Sequence, residues 1–135
     1  MSTEAALWQL VKKNINGHLV RVENTAGSGT PDVHACHECF ETWIELKLAK
    51  GNFLHFRASQ LAFFAKRCLR EGGAVKVLWR KQDDICLTDA RKVMAVVESA
   101  IPNKDGSVKI PIANISHRKF SKPWQWSMIS EKVYV

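Results

Sequence analysis

Apolar residues recur at helical spacing over residues 3 to 14. Ala6, Leu7, Leu10 and Val11 form one stripe that Ile15 extends, with Lys12, Lys13 and Asn14 on the polar side. This predicts a first helix, capped by Ser2 or Thr3. After the turn signal Asn16-Gly17 the pattern switches to alternation, which predicts strands over 18–24, 32–36 and 41–48. In the third of these, Ile44, Leu46 and Leu48 share one face, which reads as core. Glu45 and Lys47 share the other and present a carboxylate and an ammonium together. Residues 53–57 read as an irregular link. Ser59 caps a second helix over 60–70, with Leu61, Phe64, Ala65, Cys68 and Leu69 inward, and Gly72-Gly73 ends it.

Alternation resumes over 74–79. A turn at 82–84 leads to a short strand at 85–87, and Thr88 caps a third helix over 89–100 bearing Val93, Val96 and Val97. Beyond Ile101-Pro102 regularity is lost: a loop at 103–107, a strand at 108–112 interrupted by Pro111, then a tail holding Pro123-Trp124-Gln125-Trp126. The strand-helix-strand order from 42 to 80 implies a parallel crossover. The expected fold is α/β, a small mixed β-sheet flanked by helices. With 135 residues one domain is expected over 1–135, with a core at about 3–100. Residues 101–135 then form a basic and aromatic extension that packs on the core or on a dimer mate.

Charge narrows the class. Twenty basic residues against thirteen acidic ones give +7, a bias towards a polyanionic partner. No signal peptide or apolar run of membrane length is visible, so a cytoplasmic protein without a membrane partner is expected. The four cysteines read as reduced thiols. His34, Cys36, His37 and Cys39 hold zinc-type ligands within six residues, but the cysteines that could serve as a second pair, Cys68 and Cys86, sit in apolar-looking elements. A hairpin linking the strands of Asp32 and Glu45 is the better reading.

Candidate chemistry gathers around residues 32 to 47. Asp32 follows Pro31, and if it converges with Glu45 at the strand ends the two can hold a hard divalent cation through oxygen. Lys47 beside them can steady charge on a phosphoryl oxygen or position a water. Gly27-Ser28-Gly29-Thr30 ahead of Asp32 reads as a bend that lets a nucleic-acid backbone approach at Ser28. Among basic residues, Arg21, His55, Arg57, Lys66, Arg67 and Lys119 are candidates for phosphate contact. Ordinary roles compete with these: a cross-strand ion pair for Arg21, plain polar surface for His55.

Pro31-Asp32, a gap of twelve residues and Glu45-Leu46-Lys47 resemble the PD-(D/E)XK nuclease signature. The glycine turn before Asp32, the Trp43-Ile44 lead-in and Ser59-Gln60 opening the next helix resemble its VRR-NUC branch, and the chain is also similar in style to phage endonuclease I junction resolvases. The resemblance covers residues 4 to 80 and implies a restriction-endonuclease-like core. It implies Mg2+ as cofactor, with Mn2+ substituting, held by Asp32, Glu45, the Leu46 carbonyl and a glutamate of the first helix. Glu4 is the natural match for that glutamate and Glu23 the substitute, although Glu4 also reads as a first-turn residue favouring the helix N-terminus. It implies catalytic roles for Glu4, Asp32, Glu45, Lys47 and Gln60, the last holding substrate or water. The activity implied is hydrolysis of branched DNA, Holliday junctions among the substrates, by a homodimer in a bacterial host or its phage. A restriction-like duplex nuclease, a basic nucleic-acid-binding protein without catalysis and an assembly protein with an incidental acidic cluster are the alternatives.

Overall fold

A computed structural model describes residues 3–22, 29–68 and 75–135 of the chain. Ser2, Glu23, Gly27, Ser28 and Gly72-Gly73, to which the sequence assigned roles, lie outside the described residues. The first helix, α1, spans Glu4–Asn14, and Thr3 caps it by accepting the Ala6 N–H at 3.0 Å. Then come β1 (His18–Arg21), β2 (Val33–His37), β3 (Phe40–Leu48), β4 (Phe53–Phe56), α2 (Ala58–Cys68), β5 (Val75–Lys81) and β6 (Asp84–Asp89). The remainder holds α3 (Ala90–Met94), β7 (Ile101–Pro102), β8 (Val108–Pro111), β9 (Arg118–Phe120) and α4 (Trp126–Val133).

Among the described residues the main sheet has six strands in the order β1-β2-β3-β5-β6-β9. The β3–β5 pair is parallel, as the crossover through α2 requires, and the other pairs are antiparallel. This is the expected α/β fold, a mixed sheet flanked by helices and consistent with a restriction-endonuclease-like core. The β2–β3 hairpin turns at Glu38-Cys39, both with positive φ (49° and 69°), the backbone of a type I′ turn. Its register pairs Val33 with Ile44 and Ala35 with Thr42.

Both faces of the sheet are buried. Ile44, Leu46, Val33, Ala35 and Leu78 pack under α1 and α4 with Leu7, Trp8, Val11, Ile129 and Val133. On the other face Val75, Val77 and Trp79 pack with Phe56 of β4, Phe64 of α2 and Val93 of α3. Ile44 and Leu46 are therefore core, as the alternation predicts. The face of Glu45 is not open surface, because α2, α3 and a second small sheet close over it.

That second sheet corrects the sequence reading. Residues 53–56 form β4, which pairs with β8, itself paired with β7. Leu54 and Phe56 point inward at 0% and 1% exposure, so a stretch that reads as irregular is an alternating strand too short to stand out. The helix expected over 60–70 begins two residues earlier, at Ala58. The helix expected over 89–100 stops at Met94, followed by a 3-10 turn at Val97–Ser99. The β-branched Val93, Val96 and Val97 weaken helix continuation there. Asp89, not Thr88, occupies the N-cap position, and Thr88 lies in β6 with its hydroxyl donating to the Ser116 carbonyl at 2.5 Å. The tail also has regular structure: β9 extends the main sheet, and α4 buries Ile129 and Val133 completely.

Candidate active site

The ladder between β2 and β3 ends at Val33 opposite Ile44. Continued by one position, that register sets Asp32 across from Glu45, and cross-strand partners place their side chains on the same face. Asp32 is the charged neighbour that acts most strongly on the Glu45 carboxyl. Beyond the ladder the Leu46 N–H has no strand to pair with, and it donates to Asp32 Oδ2 at 2.9 Å. Asp32 thus caps the free edge of β3 with one oxygen. The C=O of a strand residue leaves on the same edge as its N–H, so the Leu46 carbonyl also leaves on the Asp32 side.

Glu45 is 2% exposed. One oxygen, Oε1, accepts from Gln60 Nε2 at 3.1 Å. The other, Oε2, is buried with no hydrogen-bond partner. Burial, and then the neighbouring Asp32 charge, push the Glu45 carboxyl up to about 9, against the pull of Lys47. A buried orphan oxygen beside a second carboxylate is a position that a proton or a cation satisfies.

Gln60 links this pair to Lys47. Its Oε1 accepts from Lys47 Nζ at 2.9 Å and from the Arg57 N–H at 2.8 Å. Two donors on one oxygen fix which way the amide points. The Arg57 bond is the reach-back half of a capping box, made by the third residue of α2. That position explains why helix α2 must begin where it does. Lys47 Nζ also sits 4.8 Å over the Phe56 ring. Burial lowers the Lys47 pKa, while Glu45, Asp32 and Glu4 oppose the shift.

Glu4, at the start of α1, is exposed, yet its carboxyl feels the cluster. Partial burial and then Asp32 raise its pKa, and Lys47, Arg21 and Arg57 draw it down. Among the described residues no three His, Cys, Asp or Glu side chains gather as a metal site.

Gly29 explains how Asp32 and Gln60 come together. It is buried, with φ at +73°, and a Cβ there would lie closer than 3.0 Å to the backbone of Ser59 and Gln60. The glycine bend was expected to admit a nucleic-acid backbone. At Gly29 the close approach is internal, to the first turn of α2.

The structure distributes the remaining sequence candidates unevenly. Arg21 is exposed on β1, stacks 5.9 Å from the Trp8 ring and acts on Glu4. His55 on β4 and Arg57 before α2 lie beside Lys47. Lys66 and Arg67 are exposed at the far end of α2, with Arg67 over Phe63. Lys119 sits on β9, three strands away from β3. Sequence reasoning passed over Lys50, read only as a strand end, and Asp105 and Ser107, read only as a loop. The short strands either side of the loop, one containing Pro111, hid the hairpin that carries these two to the site.

No protein-family model and no curated protein matches the chain. Solved structures do. Hjc, a Holliday junction resolvase from the archaeal hyperthermophile Archaeoglobus fulgidus, superposes with a TM-score of 0.53 at 18% identity over 83% of each chain. D212, a nuclease from a fusselovirus, gives 0.52 at 9% identity, covering 96% of this chain and 84% of its own. The chain is similar in fold to these two proteins. At these identities the likeness speaks for the fold, and the chemistry rests on the residues themselves.

Proposed function

We propose that the chain is a divalent-metal-dependent endonuclease that hydrolyses phosphodiester bonds in structured DNA. The observation that carries this reading is the buried Asp32–Glu45 pair with an orphan oxygen, joined through Gln60 to the half-buried Lys47. Hard carboxylate oxygens suit Mg2+, and Mn2+ would substitute. Asp32, Glu45 and the Leu46 carbonyl would hold the ion, with Glu4 approaching from α1. A bound cation of this kind supplies charge that offsets the developing negative charge on the phosphoryl group, and it acidifies water.

The protein's own groups do the rest. Asp32 is held through one oxygen by the Leu46 N–H. Gln60 holds Glu45 and Lys47 in a set relation before substrate arrives. Lys47, its ammonium weakened by burial, sits where it can grip a phosphate oxygen or orient a water. Arg21, Arg57, Lys66 and Arg67 supply a basic approach for a DNA backbone. A single compact domain reads DNA shape more readily than a long base sequence, and paired cuts across a branch need a two-fold dimer. Branched DNA is therefore the favoured substrate and a homodimer the favoured form, in a bacterial cytoplasm or a phage-infected cell.

The test is cleavage of junction, flap, duplex and single-stranded DNA with magnesium, alongside the oligomeric state in the same buffer. Cleavage that prefers branched DNA and is lost in Asp32→Ala and Lys47→Ala supports the proposal. Lys47→Ala should still bind DNA in calcium. No cleavage of any substrate with magnesium or manganese, or full activity in Asp32→Ala, overturns it.

A further inference from the structure

Next to Lys47 and Gln60 the surface opens into a cavity of about 230 Å³. Two neighbouring segments and one distant in sequence build it: Lys47 and Lys50 from the end of β3, His55 and Arg57 from β4 and its exit, and Asp105 and Ser107 from the β7–β8 loop. Four basic groups therefore meet a single carboxylate. That carboxylate is already engaged, since Asp105 Oδ1 accepts the Ser107 N–H at 3.0 Å and the Ser107 hydroxyl at 2.5 Å. Asn103 ties the loop to the pocket wall, its Nδ2 lying 2.9 Å from Ser107 Oγ and 3.3 Å from His55 Nδ1. With Nδ1 facing an amide N–H, the neutral ring carries its own proton on Nε2 and keeps a donor. The second sheet thus serves the site directly, by carrying His55 on β4 and the loop between β7 and β8.

The field in the pocket is positive. His55 titrates below the ordinary histidine range, through burial first and then through Lys50, Lys109 and Lys47, with Asp105 opposing. The volume falls below the roughly 300–1,000 Å³ of clefts that enclose drug-sized ligands. It suits a small anion better than a whole nucleotide.

We propose that this pocket is a phosphate subsite in which Lys50, His55 and Arg57 grip a second, uncleaved phosphate of the DNA strand whose scissile group lies at Lys47. The role as a strand-positioning site rests on the nuclease reading, whereas the affinity for phosphate rests on the pocket alone. Each backbone phosphate neutralised adds about 0.9 to the salt dependence of duplex binding, so losing one contact should be visible in the slope.

The experiment measures DNA affinity in calcium across a salt series for the full chain and for Lys50→Gln, His55→Gln and the double variant. Lys13→Gln, on the exposed end of α1, controls for loss of one charge. The expected result is affinity reduced about 5–30-fold in the double variant, with a salt slope shallower by about one. Lys13→Gln leaves the slope unchanged. Asp105→Asn, which removes the opposing charge, tightens binding, and it keeps the test alive should a pocket variant misfold. A double variant matching the Lys13→Gln protein in affinity and slope overturns the proposal. The second arm titrates inorganic phosphate alone while following the His55 ring resonances. A shift that DNA suppresses and Lys50→Gln abolishes supports the strand-positioning role. Free phosphate that DNA does not displace overturns that role and leaves a small phosphate ligand in its place. Pocket variants that behave as expected in a protein cutting no DNA would sink the nuclease reading and not the pocket. Cleavage with no response to the variants would do the reverse.

Discussion

Gln60 Nε2 donates to Glu45 Oε1 at 3.1 Å, while the same side chain's oxygen takes the Lys47 ammonium at 2.9 Å. A neutral amide therefore stands between a carboxylate and an ammonium on one strand face. Gln60→Ala strips one partner from Glu45, one from Lys47 and one from the Arg57 N–H. Leaving buried polar groups unsatisfied costs about 1–3 kcal/mol, and a reacting group displaced by about 1 Å loses up to roughly a hundredfold in rate. The expected outcome is kcat down ~10–100-fold with Tm a few degrees lower. Gln60→Glu keeps the shape but sets a second carboxylate against Glu45 and pairs Lys47 directly. It should lose kcat while gaining little or no stability, as steady-state kinetics and thermal melts on the two variants will show.

Gly29 supplies the second prediction. Its φ of +73° disfavours any side chain, and a Cβ would drive into the backbone of Ser59 and Gln60. Gly29→Ala must therefore move either the segment leading to Asp32 or the first turn of α2, and both carry site residues. Activity should fall further than in Gln60→Ala, with stability down by at least about 2 kcal/mol in urea melts. Wild-type kinetics in Gly29→Ala would show that this packing does not hold the site.

The contrast between what could and could not be read from the residues follows from range. The face split of β3 and the crossover through α2 are local patterns, visible as alternation at 44–48 and a helical stripe at 61–69. Asp32, Glu45 and Lys47 could be named from their spacing along the chain, and Gln60 only from the family resemblance. The second sheet could not, because β4 has four residues and its partner β8 lies some fifty positions away. The Lys50–His55–Asp105 pocket inherits that blindness, since it exists only once the long-range pairing is made. Glu4 illustrates the opposite limit. The family resemblance brings it towards the cluster, yet how far its carboxyl reaches depends on the seating of α1, which no spacing encodes.

Ile129 and Val133 of α4 are fully buried against the Ile44–Leu46 face of β3. The aromatic tail thus supports, from below, the strand that carries Glu45. Ile129→Ala removes packing atoms and leaves a cavity, at a cost of about 2–5 kcal/mol. Chemical denaturation should show that loss with an unchanged m-value. A cost under about 1 kcal/mol would mean that α4 is peripheral to the fold.

Glu45 makes stability depend on pH in a direction that can be worked out. Its folded pKa, raised to about 9, lies well above the ordinary 4.5. Between those values the folded chain binds more protons than the unfolded one, so metal-free stability is full at low pH and falls as pH rises through this range. Lys47, its pKa lowered, acts in the opposite sense, and comparison of Glu45→Gln with wild type separates the two. Glu45→Gln keeps an acceptor for Gln60 and cannot ionise. Its Tm should match wild type near pH 4 and exceed it by about 3 °C or more at pH 8. Magnesium should then raise the wild-type Tm at pH 8, because a cation satisfies the ionised carboxyl as a proton does at pH 4, and it should leave Glu45→Gln nearly unmoved. A Tm gap that stays constant from pH 4 to pH 8 would mean that Glu45 ionises freely in the folded chain. The orphan oxygen beside Asp32 would then call for neither proton nor metal.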